Sequence, residues 1–592
     1  MFRKTSESVQ LNMFTSPKSL MTGKSLKLYE DKLAWHNQFR QHVTMRINES
    51  LFSPLYCEDN GTPNASIRTL IAMMVLKEAE GLSDQKIFEN CRFNMLTRSA
   101  IGLLNADDPL PTESTYYLFR KHINDYAEAG NQNLFDVIFA DITKSQCIDF
   151  EVSGKRIRMD SKLLGSNIAW LSRYELIHET LRLFYKQVKQ YGKLDKETEE
   201  KLDSLLKLEG NKVVYTCTSE EVKARLKELG ELIYKILPLF SASEDVRFHT
   251  LQRVFNEQFK VDENKLVVSR DKEEISAKSV QSPHETDCDY RNKDGNQVKG
   301  YTINVTESCD DGKLNLIGHV DLRKASTSDV DFLQEDVENV QEVFPDKTEA
   351  LHTDGAYHSP DNQSFCKDNT IKLYLHAIQG AKGRFEFNLL ENGELSVMDT
   401  NTSELVDTKK VTSKKNIDKW RIKIEKGYRY FTQKDIDNYL IRKQIEETPI
   451  EILQKRNNVE ATIFQLAYHY PNAKSRYRGE IKHQMWANIR CVWVNFVRIL
   501  KYIKQICQRT SFFAKYALKY LFKELYFALK SLLKAILPYY LFNSDFTKFS
   551  MTWEFGVVGV DSKVKFIKTW KIIYVDLKIF TRQDIKDQNN TN

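Results

Sequence analysis

Chain breakers are scarce: the 592 residues include only 12 prolines and 22 glycines. That scarcity argues against long disordered tracts. Cysteine is sparse and scattered. None of Cys57, Cys91, Cys147, Cys217, Cys288, Cys309, Cys366, Cys491 and Cys507 forms a Cys-x-x-Cys pair. This argues against a zinc module and suits a reducing cytoplasm. Long apolar runs are missing too. Residues 1–20 hold no signal-like apolar core, and residues 1–25 are expected to be a flexible N-terminus. The most apolar late stretch, Phe512–Phe542, is broken by Lys515, Lys519, Lys523, Glu524, Lys530 and Lys534. It reads as amphipathic, not as a membrane span, so no membrane partner is expected.

The length exceeds what one core fills, so two to four domains are expected. Net charge is only +6, but its distribution is uneven. From Lys474 to Lys534 there are fourteen Lys or Arg and two acids, Glu480 and Glu524. Such a block suits either a polyanionic partner or a solvated basic helix face.

Residues 26–150 carry a helical pattern. In Ser66-Ile-Arg-Thr-Leu-Ile-Ala-Met-Met-Val-Leu-Lys77 the apolar positions 67, 70, 71, 74 and 75 make a stripe, with Asn64 or Ser66 as cap. Ser83-Asp84 and Thr112-Glu-Ser-Thr115 open two further helices. Arg68, Lys77, Arg92, Arg98, Arg120 and Lys121 are expected outside. The region reads as a helix-turn-helix-like DNA-binding unit or as a helical packing domain. Near residue 150 the period changes. Ile157 and Met159 alternate with charge in a short strand expected to end at Asp160. A helical insertion, 168–258, comes next. Strand patterns return at 300–306 and 314–321 around the turn signal Asp310-Asp-Gly312. Then come a helix (328–343), a strand (349–353) ending at Asp354, a further helix and a strand (371–376). This order predicts an α/β fold, a mixed sheet flanked by helices. Residues 384–430, with alternating Phe385, Phe387, Leu389, Leu395 and Val397 around Asn392-Gly393, predict a small β insertion. Helix dominates from about Thr432 to Lys534. Residues 501–592 are expected to be a basic helical extension, with strand-like pieces at Thr552–Val558 and Trp570–Val575.

Three carboxylates stand out by their settings: Asp160 in Arg156-Ile-Arg-Met-Asp-Ser-Lys162, Asp354 in Leu351-His-Thr-Asp-Gly-Ala-Tyr357, and Glu460 in Arg456-Asn-Asn-Val-Glu460. Two aspartates at strand ends and a glutamate on a helix are a donor set for two divalent ions. Two ions about 3.5–4 Å apart serve an in-line displacement at a phosphodiester. Mg²⁺ takes hard oxygen ligands and keeps several waters, so two or three carboxylates suffice, with Mn²⁺ able to substitute. Arg456 lies one turn before Glu460 and shares its helix face, placed to orient it or to meet phosphate.

These settings resemble the DDE-class transposases of bacterial insertion sequences, in the group related to InsH. Pro63–Lys77 with Gly81-Leu-Ser-Asp84, and Glu113–Arg120, look like that group's N-terminal domain. Met159-Asp-Ser161 with Asn167 resembles its first-aspartate motif, and Thr353-Asp-Gly-Ala-Tyr357 the second. Arg456-x-x-x-Glu460, then Arg476-Tyr-Arg-Gly479 and a helix with Asn488 and Asn495, resembles the glutamate motif and its sequel. Tyr290–Tyr301, ending in Lys299-Gly-Tyr, looks like the lead into the second strand. The resemblance covers about residues 26–500. It implies an RNase H-like catalytic domain (151–500) and Mg²⁺-dependent DNA cleavage and strand transfer by Asp160, Asp354 and Glu460. It also implies binding to double-stranded DNA at terminal inverted repeats and target, and a homodimer or larger synaptic complex in the cytoplasm. Lys162, Arg456, Lys474, Arg476, Arg478, Lys482, Arg68 and Arg120 are the expected DNA contacts. One departure stands out. A related signature has Tyr three residues before the Arg and Lys seven after the Glu, where this chain has Leu453 and Ala467. Tyr468, Lys474 and the Arg476–Arg478 pair are the available substitutes. An inactive descendant that only binds DNA, and a nuclease without joining activity, are the rival readings. Among the neighbours, His352, His376, Trp486 and Trp493 read as packing residues, while Tyr357 reads equally as a site or a core residue.

Overall fold

The computed structural model describes residues 1–5, 11–12, 14–293, 295–378, 383–389, 395–412, 418–424, 427–467 and 474–540. Two compact units divide the chain, Met1–Thr510 and Ser511–Asn592. Of the second, the described residues are helical, the end of a helix that runs from Glu480 to Tyr540. The strand-like pieces expected after 550, Asn392-Gly393 and Tyr468 lie outside the described residues. No described helix is long and apolar enough to cross a membrane.

The central element of the N-terminal region is the helix Ile67–Glu80, capped by the Ser66 hydroxyl and closed by Gly81 at φ +64°. Ile67 and every residue from Thr69 to Ala79 are buried. The stripe expected from its spacing is therefore only part of the buried surface of this helix. Its partners explain why. One core joins Phe39, Ile71, Phe88, Phe119 and Ile138 to Tyr301, Ile303 and Val305 of the sheet and to Trp486 and Phe496. Residues 26–150 thus share their core with the sheet and the late helix, and residue 150 is no packing boundary. Lys77 and Arg98, expected outside, are buried. Lys77 pairs with Asp84 at 2.7 Å, and the Arg98 guanidinium donates to the carbonyls of Cys91, Asn105 and Asp108. In the described N-terminal residues, the Met1 ammonium donates to the Asn60 and Thr62 carbonyls, and the Thr5 N–H to Glu49.

The main sheet is mixed and six-stranded. Its strands are β1 (Arg156–Gly165), β4 (Asp289–Lys293), β5 (Asn296–Ser308), β6 (Ile317–Lys324), β7 (Ala350–Thr353) and β8 (Lys372–Leu375). β2 (Phe259–Val261) and β3 (Val267–Ser269) form a separate hairpin. The order is β4-β5-β1-β7-β8, with β6 also on β5. β1 runs antiparallel to β5 and parallel to β7. Gly300 is required where β5 crosses the end of β1, because a Cβ there would meet the Leu164 carbonyl at 2.2 Å. Ile157 and Met159 point into the core with Leu351, Val337 and Ile499. The helical insertion comprises Arg173–Val188, Lys196–Leu206, Gly210–Thr216, Ser219–Ile236 and Val246–Gln258 around its own core. The β insertion is larger than expected, with two three-stranded sheets. They are β9 (Phe385–Leu389), β10 (Leu395–Asp399) and β11 (Glu404–Val406), then β12 (Thr408–Thr412), β13 (Asp418–Ile424) and β14 (Gly427–Thr432).

Candidate active site

β1 places Arg158, Asp160 and Lys162 on one face by its two-residue period. Asp160 does not end the strand, as its turn-like sequel Ser161-Lys-Leu-Leu-Gly165 suggested. β1 continues to Gly165 because β5 pairs with it throughout. What ends near Asp160 is the parallel ladder to β7, in which Arg156 faces Ala350 and Arg158 faces His352. Two more residues of that register bring Asp160 beside Asp354. Asp354 caps a 3-10 turn, its Oδ1 accepting from Ala356 N–H at 2.9 Å. Gly355 must be glycine here, since a Cβ would stand 1.7 Å from the Ala377 carbonyl oxygen. Glu460 lies in the first turn of the helix Asn457–Leu466, which packs on β1.

The three acids meet at one cation. A single guanidinium nitrogen of Arg456 lies 3.2 Å from Asp160, 3.4 Å from Asp354 and 3.2 Å from Glu460. Asp160 and Arg456 are nearly buried, with side chains 12% and 13% exposed, while Glu460 is 59% exposed. Burial pushes the Asp160 carboxyl up to about 6, against the pull of Arg456 and the Ser161 N–H. Among the described residues, no three acids, histidines or cysteines stand as a ready metal cluster. The point they surround is taken by Arg456. Three hard carboxylates gathered round one positive charge are the ligand type that Mg²⁺ takes, with Arg456 standing between them.

Two buried networks support the acids. Under Asp160, Ser161 Oγ donates to Asp329 at 2.7 Å. Tyr357 OH donates to Asn304 Oδ1, and Asn304 Nδ2 to Asp336, each at 2.5 Å. Asp336 is fully buried, and burial holds its carboxyl well above the ordinary range. Tyr357 is therefore a core residue in the layer beneath the site. Behind the Glu460 helix, Glu307 is wholly buried and accepts from Arg158 at 2.6 Å and from Thr462 Oγ1 at 2.9 Å. Arg498 lies 2.7 Å from Oε2, the oxygen that Thr462 also bonds. Burial would push Glu307 up, but Arg498 and Arg158 outweigh it and hold it below its ordinary value. Arg158 also donates to the Lys455 carbonyl at 2.9 Å. Sequence reading missed this network, although Arg156, Arg158 and Asp160 at every second place in a strand were its signal.

The expected DNA contacts scatter. Lys162 is half-buried on the Asp160 face, and Lys482 is exposed. Lys474 donates to the Ile168 carbonyl, Arg478 to that of Asn167, and Arg476 to those of Gly81 and Leu82. Arg490, deep in the basic block, bonds the carbonyls of Gln465 and Leu466 at the end of the Glu460 helix. It also bonds that of Glu78 at the end of Ile67–Glu80. Lys474, Arg476, Arg478 and Arg490 of this basic block therefore tie segments together. Arg120 faces Asp84 at 3.4 Å and lies over the Tyr116 ring. Arg68 meets Met45 Sδ at 3.7 Å. His352 stacks on Tyr374 with centroids 4.8 Å apart, and Trp486 is buried, both as packing residues. His376 is exposed.

Residues 28–122 match the family model described as "Transposase domain (DUF772)". The match supports a role as a transposase. No curated protein and no solved structure matches the chain.

Proposed function

We propose that the chain is a DNA transposase with an RNase H-like catalytic region, in which Asp160, Asp354 and Glu460 direct cleavage and strand transfer. The observation that carries this reading is the convergence of the three acids, distant in sequence, on the single Arg456 guanidinium. Two Mg²⁺ ions at these carboxylates, with Mn²⁺ able to substitute, would supply an activated oxygen nucleophile and stabilise the leaving oxygen. Asp160, paired on β1 and nearly buried, Asp354, on a turn, and Glu460, on a helix, are the residues that would hold the ions. Once displaced, the Arg456 guanidinium is within side-chain reach of the phosphate being cut. Lys162, on the same strand face as Asp160, is placed to hold a flanking phosphate. The DNA partners are the element's terminal inverted repeats and a target duplex, joined in a homodimer or larger synaptic complex.

Replacing Asp160, Asp354 or Glu460 by Ala is expected to abolish Mg²⁺-dependent cleavage of an inverted-repeat substrate and to leave DNA binding intact. Wild-type-like cleavage by any of the three sinks the assignment. A pre-cut end with a free 3′-hydroxyl is expected to be inserted into target DNA. Hydrolysis without insertion would make the protein a nuclease.

A further inference from the structure

The second sheet of the β insertion has two different faces. Trp420, Ile422 and Phe431 are buried against Phe385, Phe387 and Val397, which fixes the inner side. The register then fixes the outer one. Lys409 stands opposite Arg421, Arg421 opposite Tyr430, and Lys423 opposite Tyr428. Lys419 lies on the same side by the two-residue period. The outer face therefore carries four cations and two tyrosines. Among its described residues, which also include Val411 and Thr432, there is no acid. Tyr428 and Tyr430 are 55% and 51% exposed, unusual for paired aromatics on a folded sheet. The Arg421 guanidinium lies 4.4 Å over the Tyr428 ring, which keeps that charge on the face.

We propose that this face binds the sugar-phosphate backbone of a nucleic-acid strand. Lys419, Arg421 and Lys423 follow one another every second residue, about 6.8 Å apart. This is a step similar to that between neighbouring phosphates of one strand. Lys409 widens the line, and the two tyrosines offer flat rings to sugars or unstacked bases and hydroxyls to phosphate oxygens. The site rests on the transposase reading and deepens it. It adds a DNA contact on an element distant in sequence from the three acids, whereas Lys474, Arg476 and Arg478 donate to backbone carbonyls.

The test is binding of the full chain, in EDTA, to a mixed-sequence duplex and to a single strand of equal length, over a salt series. The variant K409Q/K423Q changes two exposed side chains. It is expected to keep the wild-type melting temperature. The slope of log affinity against log salt should fall by about 1.8 on the duplex or about 1.4 on the single strand. Whichever falls names the form bound. The variant Y428S/Y430S, on the same face, is expected to weaken the same ligand at constant salt slope. K207Q/K223Q, two exposed lysines of the helical insertion, should leave the slope unchanged. Wild-type binding with an unchanged slope in K409Q/K423Q overturns this proposal alone, as does an equal drop in the control. Wild-type protein that binds neither DNA overturns the transposase reading with it.

Discussion

Glu307→Gln isolates what holds the Glu460 helix in place. The carboxylate has no exposed surface, and its partners Arg158 and Arg498 have side chains only 6% and 20% exposed. The amide keeps the shape and one acceptor oxygen but strands two guanidinium charges beside each other. Removing one partner from a buried ion network costs roughly 3–5 kcal/mol. The retained acceptor puts this case near about 3 kcal/mol, or roughly a hundredfold in a local opening equilibrium. The loss falls on Thr462, inside the helix that carries Glu460. Global melting of so large a unit is a blunt probe, so hydrogen exchange is the assay. Amides within 457–466 are expected to exchange about a hundredfold faster, while those of Ile67–Glu80 stay protected. The triple replacement R158M/E307L/R498M, which removes the charges together, should restore protection. Unchanged exchange across 457–466 in E307Q would refute the clamp.

Three other outcomes rest on the same geometry. Arg456→Ala leaves three carboxylates without their common cation. In EDTA it should melt below wild type, and millimolar Mg²⁺ should raise its Tm by more than it raises that of wild type; equal shifts would show that Arg456 does not hold the metal position. Gly355→Ala drives a methyl into the Ala377 carbonyl and should displace Asp354, losing cleavage while circular dichroism is unchanged; full activity would show that the turn yields. Asp136, which accepts from Gln484 and Asn488, is pushed by burial to about 6, against 3.8 for the free side chain. Between about pH 4 and 6 the folded protein keeps a proton that the unfolded chain has released, so stability falls as pH rises through that window. Asp136→Asn should therefore match wild type near pH 4 and exceed it by roughly 2–3 kcal/mol above pH 6, with parallel unfolding curves at all pH values as the contrary result.

Local chemistry was legible along the chain. Ser66, one of the two cap candidates for its helix, and Ser83 and Thr112, at two expected helix starts, each accept from a backbone N–H. The alternation at Phe385, Phe387, Leu395 and Val397 points inward as its period required. The pattern around Asp160 and Asp354 located the acids but not the end of β1, because strand length is decided by the partner β5, remote in sequence. Basic residues were the least legible. A run of Lys and Arg reads the same whether the side chains face water or, like Arg490, close the ends of two helices. Only packing separates those cases. The β insertion shows the converse: its outer cations come from two strands, β12 and β13, and share one face with the β14 tyrosines.

The shared core of the first unit sets a timetable for synthesis. Helix Ile67–Glu80 is buried along nearly its whole length, and part of its cover comes from Trp486 to Phe496. Roughly 400 residues separate helix and cover, and at about 5–20 residues per second the ribosome needs some 20–80 seconds to deliver them. Throughout that interval part of the helix lacks its final partner in the nascent chain. Chains released before residue 486 are expected to be chaperone clients or aggregates, so a truncated reading frame would yield insoluble protein and not a free N-terminal module competing for DNA.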